Sequence, residues 1–329
     1  ELYRKHPEEA RDSFGEDPFE VKNILKYWVF SEKPEFHVIP TDTINIHIDK
    51  DALLRSGIML PKTIRHLKGE DLKDAIPDKL YISLTDIRML TKVDLLMLEM
   101  LANCNWERPL YLAISVGSVS KLKFDNYFVQ EGLAFRFTPF DYKKWGDVGE
   151  NRLYAVDVER LYDNVMNRYK YGGLDTPGLY LDETTLRTCW YHRRLFAQLA
   201  KELIAQGDNE RAKKVLAYAE QVIPGYNVPE THESGSYDIA TAYAALGEKT
   251  KAVTLAVHLI AEAEDYINWA FSLKGNRIEM VRNDCIYKFW QWNQYNELLK
   301  KIDGEKYKES NRRFEEKYAL FAPTMNYKN

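Results

Sequence analysis

Cysteine is scarce: Cys104, Cys189 and Cys285 are the only three in 329 residues, they lie far apart, and no two form a CxxC pair. That excludes a disulfide framework and a thiolate zinc centre. No apolar run approaches the ~20 residues that a membrane-spanning helix needs. No GxSxG is present, so there is no nucleophile elbow. No complete glycine-rich phosphate loop occurs, and the "HES" at 232–234 lacks the second histidine of HExxH, so it reads as a loop leading into a helix cap. An excess of positive charge is also missing. The 46 Lys and Arg are balanced by 50 Asp and Glu for a net charge of -4, which removes the electrostatic case for nucleic acid.

What is present belongs to an ordinary folded protein, with 45% hydrophobic and 29% charged residues in a chain long enough to favour two domains. Aromatic residues make up 13%, among them 22 Tyr and 7 Trp, and most are expected to fill gaps between packed elements. The chain opens on "ELYRKHPEEA" without a methionine. This reads as a cut inside a longer protein, with any targeting or membrane segments expected outside it.

The first part mixes helix and strand. Asp17, Pro18 and Glu20 suit a helix start, followed by Phe19, Ile24, Leu25 and Trp28 at helical spacing. "TINIHID" alternates, with Ile44, Ile46 and Ile48 on one side and Thr43, Asn45 and His47 on the other, which predicts a half-buried strand. "DALLRS" predicts a short helix stopped by Gly57, and "KLYISL" (79–84) a second strand. Thr91, with Asp94 three residues on, opens a helix whose apolar stripe reads as Val93, Leu96, Met100 and Leu101. "RPLYLAISV" (108–116) is almost unbroken apolar sequence and predicts a strand covered on both faces, completing a parallel strand–helix–strand unit. "GLAFRFTP" (132–139) adds a further strand. The expected organisation is an α/β domain over 1–155, a connecting helix and Tyr/Gly-rich loop over 156–182, and helical repeats over 183–329. The fold class is mixed α+β.

After Asp182 the period is helical throughout. A tetratricopeptide-like helix-turn-helix pattern places Ala200 and Leu203 on a first helix, Gly207 at its end, and Ala212, Leu216 and Ala219 on a second, with Pro224 closing the unit. Ala240, Tyr243, Gly247, Ala252 and Ala256 repeat the first five positions forty residues later, the extra length falling in the loop "GYNVPET". Small side chains at such positions let two helices approach to about 8–10 Å. A weaker third pair runs through Val281, Cys285, Phe289 and Trp292, then Tyr307 and Phe314.

Candidate chemistry is thin. "GSVSK" (117–121) could turn backbone amides to an anion but reads as an ordinary turn. His47 and Asp49 share a strand face, yet no third metal ligand has a recognisable spacing. Asp182 reads as the N-cap of the next helix. Outside the repeats, the candidate functional surface is the loop carrying Tyr169, Tyr171 and Tyr180, with Asp182 at its end; its rings could stack on a sugar or touch a peptide, or simply pack as a connector. No catalytic residue, metal or cofactor is assigned.

Four stretches together, "LANCNWERPLYLAISV", "EGLAFRFTP", "LYDNVMNRYKYGGLDTPGLYLDE" and the alanine-rich repeats, resemble the C-terminal region of a bacterial family of large polytopic membrane proteins. That family's N-terminal half is membrane-embedded and similar to lipid-phosphosugar-dependent glycosyltransferases; a eukaryotic relative is a transmembrane protein O-mannosyltransferase. The resemblance covers nearly all of residues 20–300. It implies a domain on the extracytoplasmic (periplasmic) side, tethered by its own membrane-embedded N-terminal half, which would carry the catalytic acid. This chain would then be no enzyme itself but would hold a protein, peptide or glycan acceptor. The alternatives are a free-standing interaction module, or a soluble enzyme with a site near Tyr171 and Asp182.

Overall fold

The computed structural model describes residues 7–33, 37–116, 122, 124–149, 154–273 and 277–325. "GSVSK" (117–121) lies outside the described residues. The chain divides into two compact units, Glu1–Asp157 and Val158–Asn329, and is mixed α+β.

The first unit holds two small sheets, with helix α1 (Pro7–Phe14) ahead of them and α4 (Gly69–Ala75) between the strands of the first in sequence. Strands β1 (Thr43–His47) and β2 (Lys79–Ser83) pair antiparallel, with Thr43 opposite Ser83 and His47 opposite Lys79. Ile44 and Ile46 enter the core as their alternation requires. Asn45, on the other face, is buried as well, at 4% exposure, where the segment leading into helix α2 (Val21–Ile24) runs along the strand's edge and the Phe19 carbonyl accepts the Asn45 backbone N–H at 2.8 Å. Thr43 and His47 on that face stay exposed, so β1 is half-buried as its alternation predicts, with Asn45 alone sheltered. Asp49 caps helix α3 (Lys50–Arg55) by accepting from Ala52, so it is engaged as a cap and not as half of a metal pair.

The second sheet has the order β3-β5-β4-β6, from Tyr111–Ala113, Ala134–Phe137, Phe128–Gln130 and Ala155–Val156. Only β4 and β6 run parallel. The expected parallel strand–helix–strand unit is absent: β2 is bonded to β1, whereas β3 sits in this other sheet, antiparallel to β5. The β4–β5 hairpin closes over a three-residue link, a shorter loop than any helical crossover requires. The apolar run 108–116 shrinks to a three-residue edge strand whose Tyr111 is 48% exposed, so it is not covered on both faces.

Helix α5 (Lys92–Asn103) starts with a complete capping box between Thr91 and Asp94. Its buried residues are Asp94, Leu98, Leu101 and Ala102. Of the predicted stripe only Leu101 faces the core; Val93, Leu96 and Met100 point outward. The helix is apolar nearly all round, so periodicity did not fix which side would be covered.

The regular elements of the second unit are all helices among its described residues. Helix α6 (Val158–Asp163) continues as a π-turn through Arg168 and buries Leu161 and Val165. The unit starts at Val158, so the connecting segment belongs with the helices that follow it. Those helices pair in sequence: α7 (Glu183–Ala205) with α8 (Asn209–Val222), α9 (Ser236–Ala245) with α10 (Lys249–Ser272), and α12 (Arg282–Ile302) with α13 (Gly304–Met325), after the short α11 (Arg277–Met280).

Ala200, Ala212, Ala240 and Ala252 are each fully buried. The corners match bond for bond. Gly207 and Gly247 share φ +79. Asp208 N–H reaches the Leu203 carbonyl at 2.9 Å, and Glu248 N–H reaches that of Tyr243 at 2.9 Å. Left-handed backbone at both glycines is what turns each helix into its partner. Ala212→Leu is expected to overpack the first pair and lower stability by about 1–3 kcal/mol in urea titrations, with the transition slope kept. An unchanged midpoint would show that the position has room.

Candidate functional site

The loop 169–180 is drawn inward at one residue and outward at another. Two consecutive glycines with positive φ, Gly172 at +61 and Gly173 at +74, make the turn that swings Tyr171 back under the helices. Its hydroxyl donates to the Val165 carbonyl at 2.7 Å, and its ring meets His192, Phe196 and Tyr218 at centroid separations of 5.4, 5.6 and 6.0 Å. Burial pushes its phenol pKa well up. Tyr171 is thus a packing residue. Tyr169 is half-buried, edge-on to His192, while Tyr180 is 88% exposed. Asp182 accepts from Thr184 N–H, Thr185 N–H and the Thr185 hydroxyl, capping α7; the Thr185 side chain and amide hold its carboxyl below the usual carboxylate range. The four residues do not converge on one point. The loop is tied down by Asn227, whose amide donates to the carbonyls of Leu174 and Thr176, and by Tyr226, whose hydroxyl donates to that of Asp175. An open groove of about 460 Å³ remains beside it, bounded by Asn167, Tyr169, Asp175 and Tyr218.

A second depression, of about 470 Å³, lies among α8, α9, α10 and the link between the pairs. Leu216, Ile223, Ile239 and Leu255 give it apolar walls. At its rim Glu220 accepts from the Tyr243 hydroxyl at 2.6 Å and from Lys251 Nζ at 2.9 Å. Burial, with Glu220 as acceptor, pushes the Tyr243 phenol pKa strongly up, so it remains a donor. Glu230 also faces the space and makes no hydrogen bond or ion pair among the described residues.

Arg193 forms part of the lining and is 3% exposed. Its guanidinium donates to the carbonyls of Ile223, Val228 and Pro229 and to the Ser234 hydroxyl, at 2.5 to 3.2 Å. These bonds hold the link 223–234 in place. Burial pushes its pKa down to about 10, against the opposing field of Glu230, and it stays charged at neutral pH. Sequence reasoning passed over Arg193. The available signal was a charged residue one turn before Phe196 and two turns before Ala200, on the face of α7 that the apolar pattern sends inward.

Chemically, the cavity joins apolar walls to a few directed hydrogen-bonding groups, the pattern of a ligand site in this size range. The Glu220 carboxylate is already engaged by Lys251 and Tyr243. Among the described residues no group of three His, Cys, Asp or Glu could hold a metal. "HES" sits in the approach to α9: Ser234 accepts from Arg193, and His232 Nδ1 lies 2.6 Å from the Tyr295 hydroxyl.

No helix of the described residues is long and apolar enough to cross a membrane. No curated protein matches the chain, and no solved structure does. One family model does match: residues 5–159, spanning the first unit, are similar to TMEM260-associated domain 2.

Proposed function

We propose that this chain is an accessory domain of a TMEM260-like protein and that its tetratricopeptide-like helices hold an acceptor, a peptide or a glycan borne on protein, in the 470 Å³ cavity between the first two helix pairs. That cavity carries the proposal. It is concave, walled by aliphatic side chains, and rimmed by Glu220, Tyr243, Lys251 and Glu230. The similarity of the first unit to a TMEM260-associated domain supports the setting. In that reading the chain works on the extracytoplasmic side beside a membrane-embedded half that performs the transfer, and contributes binding and not catalysis.

The test uses peptide and glycan arrays on this chain, followed by calorimetry on the hits. Thr254 is exposed on α10 at the cavity's edge. Thr254→Trp is expected to fill the cavity and weaken every true ligand at least tenfold, while Tyr180→Ala leaves affinity as it was. A ligand whose affinity survives Thr254→Trp but falls with Tyr180→Ala would move the site to the tyrosine loop and refute the cavity.

A further inference from the structure

Helix α5 has two apolar faces. One is consumed by the core through Leu98 and Leu101. The other runs along Val93, Leu96 and Met100, exposed at 47, 56 and 49%. Their three-then-four spacing is the seam that one helix offers to another. Beside the seam lies a groove of about 250 Å³, floored by Met97, Leu110, Leu112 and Phe128. Its far wall includes β3, the edge strand of its sheet. An exposed helix seam and an open sheet edge thus share one surface, and each alone is a feature that soluble chains usually cover.

Charge indicates what covers it. Lys92 and Glu99 lie one heptad apart on the same flank of the seam. Both are exposed, and neither has an ion-pair partner among the described residues. When two such helices cross antiparallel, Lys92 of one copy meets Glu99 of the other, and the same pairing recurs on the far side of the two-fold axis. A seam whose flanking charges complement themselves only after reversal fits a second copy of the same chain. We infer that this chain forms a two-fold dimer through α5, with Leu96 and Met100 of each copy filling the groove of the other. Methionine at position 100 of the seam and at 97 in the groove suits side chains that must settle into an irregular shape.

The experiment is sedimentation of the full chain over about 1–100 µM, the range expected of a small interface. Wild type is expected to pass from monomer to dimer across that range, and Leu96→Glu to remain monomeric. Lys92→Glu and Glu99→Lys should each remain monomeric alone, since each places like charges in contact. Mixed in equal amounts, these two variants should form a heterodimer. All the substitutions are on the surface, and circular dichroism would establish that each variant is folded. A chain that stays monomeric throughout overturns the inference. So does a dimer indifferent to Lys92→Glu. Co-sedimentation of a monomer with phosphatidylcholine/phosphatidylglycerol vesicles, lost in Leu96→Glu, would also overturn it and assign the face to a lipid surface instead.

Discussion

Arg193→Met is expected to lower the unfolding free energy of the helical unit by about 3–5 kcal/mol, because four buried acceptors lose one charged donor at once. The side chains are similar in length, so the loss is chemical and not volumetric. Three carbonyls, of Ile223, Val228 and Pro229, and the Ser234 hydroxyl lose their donor together. Each bond to a charged group contributes about 1.5–3 kcal/mol, and the carbonyls stranded in the interior cannot turn to water. Arg193→Lys should rescue little, since one ammonium cannot reach acceptors spread around a planar fork. Urea titration followed by helical signal reads both variants. The link 223–234 also contributes Ile223, Pro224 and Glu230 to the cavity, so ligand affinity should fall in step with stability. A midpoint within error of wild type would show that other contacts fix the link.

Trp292→Ala is expected to cost a similar amount, about 3–5 kcal/mol, and to act at the end of the chain. Trp292 is fully buried in α12, with its ring edge-on to Phe314 at 5.7 Å. Its indole N–H donates to Ser310 at 2.8 Å, and Ser310 in turn donates to Asn296 at 2.6 Å. The indole therefore fills the space between α12 and α13 and anchors a polar chain that needs every member. Removing it should release α13, visible as new protease cuts within 304–321 while α7–α10 stay resistant. Trp292→Phe keeps much of the volume but removes the donor to the Ser310 hydroxyl, which still donates to Asn296, and an intermediate loss of about 1–3 kcal/mol is expected. Equal effects of the two substitutions would mean that the hydrogen bond, and not the ring, holds the last pair together.

How legible these features were follows from the range over which each interaction acts. The caps at Thr91 and Asp182, and the glycine corners at 207 and 247, are settled within a few residues and could be read directly. The forty-residue spacing of buried alanines was equally open to inspection. Strand partnership was not. β2 and β3 each had an alternative partner elsewhere in the chain, and the choice between β1, β5 and a parallel crossover depends on loop closure and on what covers each face. The orientation of α5 was hidden for another reason. Val93, Leu95, Leu96, Met97, Leu98, Met100 and Leu101 leave hardly any polar gap to set the phase. The tyrosine loop was found, but the inward turn of Tyr171 depends on His192, Phe196 and Tyr218, which approach only once the helices are packed. The cavity was invisible, since three helices and a link clamped by a distant arginine must assemble before it exists.

The twin glycine corners carry one more implication. Gly207 and Gly247 share one left-handed φ, and the hairpins they close lean chiefly on the hairpins beside them, as beads on a string steady only their neighbours. Such a string gives way link by link. Damage at the far end spares the near end, and a ligand lodged between two hairpins acts as a rivet for that joint alone.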